Sequence, residues 1–164
     1  MLTLKRILVP TDFSEPSDAA LKYGIALARG FNANLYLLHV LAKAPAENPS
    51  SVEHPIGLFE STQGAAREQL DKMLADQEAK DVPSEFTTRV GTPYVEIIRY
   101  AKNRDIDLIV MGTHGRGVVA HMLMGSVAES VVRRAPCPVL TVRHPQHEFV
   151  MPDESIAASA RVGN

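Results

Sequence analysis

Two hydrophobic periodicities alternate along this chain of 164 residues, and that alternation limits the possible folds more than any other feature. Short apolar runs of strand type are separated by stretches where apolar residues recur every three or four positions, the helical spacing. Ile7, Leu8 and Val9 make the first run, which Pro10 is expected to end. Ser14, Pro16 and Asp18 then supply helix-start chemistry: a capping hydroxyl, a pre-set φ and an anion near the positive dipole end. Ala20, Gly24, Leu27, Ala28 and Phe31 follow at helical spacing, with Gly30 as the expected stop. Residues 35–40 are apolar at nearly every position, the mark of a strand buried on both faces. Residues 41–60 carry Pro45, Pro49 and Pro55 without a steady period and read as a long loop.

The second half repeats the pattern. Ala66, Leu70, Met73, Leu74 and Gln77 form one helical stripe, and Phe86, Thr88 and Val90 alternate as a half-buried edge strand. Thr92 and Pro93 open a third helix through Ile97, Ile98 and Ala101. Residues 107–111 are the most apolar strand, ended by Gly112; a last helix covers 126–135 and a fifth strand 139–142. Strands and helices in strict alternation make an α/β fold, a parallel sheet with helices on both faces, because each crossover is right-handed and lands beside the sheet. One domain is expected over residues 1–144, followed by a mobile tail at 145–164.

Composition narrows the function classes. Hydrophobic residues at 45% and charged residues at 22% are globular values, which excludes a disordered or collagenous chain. Seventeen basic against nineteen acidic side chains leave a net charge of -2, with no electrostatic footprint for nucleic acid or an anionic membrane. No apolar run approaches the ~18 residues of a membrane span. Lys5 and Arg6 come too early, and the apolar run after them is too short, for a secretory signal. Cys137 is the single cysteine, so no intrachain disulfide forms and a reducing compartment suits the chain. The expectation is a soluble cytoplasmic domain.

In open α/β sheets, ligands sit beyond the carboxyl ends of the strands. Two strand ends stand out: Pro10, Thr11, Asp12, Phe13 and Ser14 after the first strand, and residues 112–117 after the fourth, with Gly125-Ser126 opening the last helix. Glycines at 112, 115 and 117 permit close backbone approach, and the free N–H groups of a helix start form an anion site. Triphosphate is the obvious anion. A P-loop is excluded, since Val118 and Val119 stand where its lysine and hydroxyl belong. Residues 115–120 satisfy the dinucleotide fingerprint, but that fingerprint belongs to a first strand and wants an acid after the next one, where Arg143 stands. An NADP-linked enzyme is thus the weaker alternative.

A third pattern fits better. Gly112, Gly115 and Gly125-Ser126, spaced by two and nine residues, resemble the ATP-binding signature of the universal stress protein family. Residues 7–14, 112–116, 125–129 and 135–140 look like that family's opening strand and turn, glycine loop, last helix and closing strand, so the resemblance runs from Lys5 to Arg143. It implies a three-layer, Rossmann-like sandwich of adenine-nucleotide-binding type with strand order 3-2-1-4-5. By position it implies that Pro10, Thr11 and Asp12 border the nucleoside, with Asp12 accepting from the ribose, and that Val40 and Met111 flank the adenine. Gly112, His114, Gly115, Gly125, Ser126 and Val127 would surround the phosphates, with Arg116 as a further phosphate partner. The implied ligand is ATP, AMP or ADP, with Mg2+ or Mn2+ on the phosphates as an option, and the implied partner is a second copy joined through strand 139–143. The expected role is a nucleotide-dependent regulatory or protective module in the stress response. A fast hydrolase lacks its parts, as no triad, carboxylate pair or phosphate lysine is present; slow hydrolysis or autophosphorylation stays open. A third class is a dimeric stress protein that binds no nucleotide.

Other chemistry-bearing residues read as structural. His144 and His147 lack further ligands. Cys137 lies between prolines with no histidine beside it in sequence, and Met122 and Met124 read as apolar cover. His39 ends a buried strand as a hydrogen-bonded interior histidine.

Overall fold

The computed structural model describes residues 3–42, 56–114 and 124–143. Nine elements follow one another in these segments: β1 (Arg6–Thr11), α1 (Glu15–Phe31), β2 (Asn34–Ala42), α2 (Ile56–Asp76), β3 (Ser84–Gly91), α3 (Pro93–Asn103), β4 (Leu108–Gly112), α4 (Ser126–Arg134) and β5 (Val139–Val142). The five strands form one sheet in the order β3-β2-β1-β4-β5, and every neighbouring pair is parallel. This is the order that the resemblance implies.

Side-chain alternation along the strands builds a core on each face. Ile7, Val9, Leu35, Leu37 and Val110 pack under α1 and α2 with Leu21, Ile25 and Leu70. Leu8, Leu38, Ile109 and Met111 point the other way, beneath α3 and α4, against Ile97, Tyr100 and Val131. Helices on opposite faces explain why β1 and β4 part. Their ladder holds only at Ile7–Leu108 and Leu8–Ile109, whereas β1 stays with β2 as far as Thr11–His39. A crevice opens at the strands' carboxyl ends.

Several boundaries differ from the sequence expectation. Pro10 does not end β1: it lies beyond the β4 ladder, where a missing N–H is tolerated, and the strand runs on to Thr11. Gly30 does not stop α1, which closes on Asn32 in the left-handed conformation, with φ 51° and its N–H on the last carbonyls. The expected 41–60 loop is cut back at both ends, because β2 runs past residue 40 to Ala42, paired with β3, and α2 begins at Ile56; residues 43–55 lie outside the described residues. Val90, expected on the half-buried stripe of β3, is exposed at the sheet edge.

Gly24 is where α1 lies closest to the sheet. A Cβ there would stand 2.5 Å from Cγ2 of Val9, a side chain that is fully buried. The helix propensity gained in Gly24→Ala, about 1 kcal/mol, is smaller than the overpacking it forces. A net loss of about 1–2 kcal/mol is expected, read as a lower midpoint in urea unfolding. An unchanged midpoint would mean that α1 can lift off β1 at little cost.

Candidate functional site

The crevice between β1 and β4 holds a cavity of about 340 Å³. The end of β1 contributes Pro10 and Thr11, the turn after it Asp12 and the start of α1 Ser17; β2 contributes Leu38 and Val40; the start of α3 contributes Pro93 and Ile97. Met111, Gly112, Thr113 and His114 come from the end of β4, and Gly125, Ser126, Val127 and Ala128 from the start of α4. Ten of the sequence candidates therefore meet here: Pro10, Thr11, Asp12, Val40, Met111, Gly112, His114, Gly125, Ser126 and Val127. Gly115 and Arg116 lie outside the described residues, as do Met122, His144, His147 and the 145–164 tail.

The β1–α1 turn is built from its own polar groups. Asp12 Oδ1 accepts the Ser14 N–H at 3.1 Å and also the Ser14 hydroxyl. The Ser14 side chain therefore turns to Asp12 rather than capping α1. Ser17 donates its hydroxyl proton to Ser14 O at 2.9 Å, which leaves Thr11 as the donor in the 3.2 Å contact between Thr11 Oγ1 and Ser17 Oγ. Thr11 Oγ1 accepts in turn from the Phe13 N–H at 3.0 Å. The Thr11 hydroxyl is thus committed to the turn, and its place in the cavity is a wall. Phe13 takes a left-handed φ of 61°, a conformation that costs a bulky residue roughly 1–2 kcal/mol. Hydrogen bonds and packing on both sides of it hold that conformation in place.

The opposite wall is equally determined. A Cβ on Gly112 would meet Pro16 O at 2.8 Å and His114 O at 3.0 Å, backbone atoms that cannot give way, so β4 must end in glycine to pass the start of α1. Thr113 donates its N–H to Val142 O at 2.9 Å and accepts the Gly125 N–H at 2.7 Å, tying α4 to the end of β4. Thr113 Oγ1 lies 3.1 Å from His114 Nδ1. With the Gly125 amide engaged, the amides at the first turn of α4 are those of Ser126, Val127 and Ala128, and the first N–H groups of any helix have no partner within it. The N-cap residue is Gly125, which has no side chain to cap this helix. The arrangement suits an anion.

Leu38, Val40, Pro93, Ile97 and Met111 make the remaining wall apolar, a surface for a flat ring rather than a charge. Ser17, Leu38, Pro93, Ile97, Thr113 and Ala128 are additions to the sequence candidates. Thr113 and Ala128 could have been found as chain neighbours of named residues, but the lateral approach of α3 leaves no mark in the sequence. Cys137 lies apart from the cavity and packs on the core beneath α3 and α4, where burial pushes its thiol up and away from the reactive thiolate. Half-buried His39 is hydrogen-bonded, as expected.

Fold and crevice together define a doubly wound parallel α/β protein with a cavity at its topological switch point, where ligands of such folds sit. The model of the universal stress protein family matches residues 3–143, and the chain belongs to that family. A universal stress protein of Methanocaldococcus jannaschii is 35% identical over 144 residues, 88% of this chain and 85% of the relative. Among solved structures, the universal stress protein UspA from Lactobacillus plantarum superposes with a TM-score of 0.78 at 27% identity, over 87% of this chain and 100% of that one. A universal stress protein solved in complex with cAMP gives a TM-score of 0.61 at 27% identity, covering 86% and 98%.

Proposed function

We propose that this protein is an ATP-binding regulatory module of the stress response, acting through nucleotide-dependent changes of partner or assembly. One observation carries this reading: an uncapped helix start, a carboxylate-bearing turn and an apolar wall line the same cavity at the switch point. The adenine would lie against Val40 and Met111, the ribose at Asp12, and the phosphates at Ser126 and Val127, with Gly115 and Arg116 as further phosphate partners on the family resemblance alone. The relative in complex with cAMP supports an adenosine ligand. AMP and ADP fit the same scheme with fewer phosphate contacts. Among the described residues no three His, Cys, Asp or Glu side chains gather as a metal cage, so Mg2+ or Mn2+ would be held chiefly by phosphate oxygens and water. Mass spectrometry of ligand released from native protein tests the reading: adenylate supports it, and NADP would replace it with the enzyme alternative.

The same reading assigns residues 1–144 to the nucleotide-binding domain, 145–164 to an appended tail, and the whole to the cytoplasm. No helix among the described residues is long and apolar enough to cross a membrane. It also includes a homodimer. Among the described residues β5 ladders with β4 alone, and Leu140 on it is 38% exposed. An apolar edge strand offers unpaired backbone groups, and a second copy related by a two-fold axis would satisfy both edges. Sedimentation equilibrium at micromolar concentration should give twice the chain mass, falling to one chain in Leu140→Arg, where a charge blocks the edge. A native mass of one chain would reject the dimer.

A further inference from the structure

His39 lies in the second half of β2, three residues before its end and outside the wall of the cavity, yet it touches the chain on both sides of Asp12. Its Nδ1 lies 2.8 Å from the carbonyl oxygen of Thr11. A carbonyl only accepts, so Nδ1 carries the proton and donates it, and the peptide that leads into Asp12 is held in one plane. On the far side of Asp12, the Phe13 ring packs against the imidazole with centroids 4.6 Å apart and planes inclined at 46°. Phe13 is the residue in the left-handed conformation. One imidazole therefore grips the residue before Asp12 through a hydrogen bond and the residue after it through a ring contact.

The geometry points to His39 as a positioning residue for the nucleotide site: it sets the direction of the Asp12 carboxylate without touching the ligand. This inference rests on the nucleotide reading of the cavity. The two grips separate by mutation. Asparagine places an amide N–H close to the position of Nδ1 and removes the ring, whereas phenylalanine keeps a ring and removes the donor. Glutamine carries its amide one bond further out and serves as a second variant without a donor at the right place.

The test measures ATP and 2′,3′-dideoxy-ATP binding by calorimetry, together with amide hydrogen exchange at Phe13 and Ser14 in the absence of nucleotide. In His39→Phe, and equally in His39→Gln, ATP affinity should fall at least tenfold while dideoxy-ATP affinity holds, so that discrimination between the two collapses. Exchange at Phe13 and Ser14 should accelerate. His39→Asn should keep most of the discrimination and the slow exchange. Retained discrimination in folded His39→Phe or His39→Gln would overturn the proposal, and so would an equal loss for both ligands, which is what general loosening of β2 produces. If the unaltered protein binds neither ligand, the nucleotide reading fails on its own. Exchange then decides the hold on the turn: acceleration in the phenylalanine and glutamine variants but not in the asparagine variant upholds it, and unchanged exchange removes it.

Discussion

A Gly125→Val protein should fold and fail to bind ATP. Gly125 is the residue before α4, with φ −71° and ψ 155°. These are extended values that valine adopts without strain, and β-branched residues favour them. Its N–H can still reach Thr113 O, the contact that seats α4 on the end of β4. Valine is a poor helix cap, which costs about 1 kcal/mol against a good one, well short of unfolding a domain of this size. Binding is another matter. Gly125 lines the cavity directly beside the amides of Ser126 and Val127, and three added carbon atoms there compete with a phosphate for the same space. Calorimetry on the variant, with circular dichroism to show that it is folded, should register no ATP binding at concentrations that saturate the unaltered protein. Unchanged affinity would move the phosphates away from α4.

What the sequence carries clearly, and what it hides, follows from how local each feature is. The alternation of apolar runs predicts a parallel sheet because each strand and helix has its own period, and the β1 and β4 turns fall at the crevice because ligands gather where strands end. Pro10 misleads because a proline interrupts a strand only where its N–H is needed, and the β4 ladder that would need it has already ended at Leu8. Gly30 misleads because the left-handed stop falls two residues later, on Asn32. The 41–60 stretch hides the start of α2 because its prolines outweigh a weak amphipathic pattern after Ile56. At the site, the residues that follow β1 and β4 in the chain are legible. Pro93 and Ile97 are not, since they reach the cavity only because α3 packs across β2. His39 looks like one more interior residue until the fold brings the Asp12 turn beside it.

Asp12→Ala should weaken ATP binding ten- to a hundredfold while leaving the base and phosphate contacts in place. Asp12 is the only carboxylate among the described residues lining the cavity, and it lies between the apolar wall and the start of α4. A charge-assisted hydrogen bond from a ribose hydroxyl is worth roughly 1.5–3 kcal/mol, which corresponds to that range of affinity. The substitution also removes the acceptor of the Ser14 N–H and hydroxyl, so the turn loses two of the contacts that shape it. Loss of the turn alone would weaken ATP and 2′,3′-dideoxy-ATP alike, because both share base and phosphates. Loss of the ribose contact weakens ATP and leaves the dideoxy ligand nearly untouched, since that ligand has no hydroxyl to donate. The ratio of the two affinities therefore isolates the role of Asp12. A variant that still prefers ATP over its dideoxy analogue by the same factor as the unaltered protein would show that the carboxylate shapes the turn and does not read the sugar.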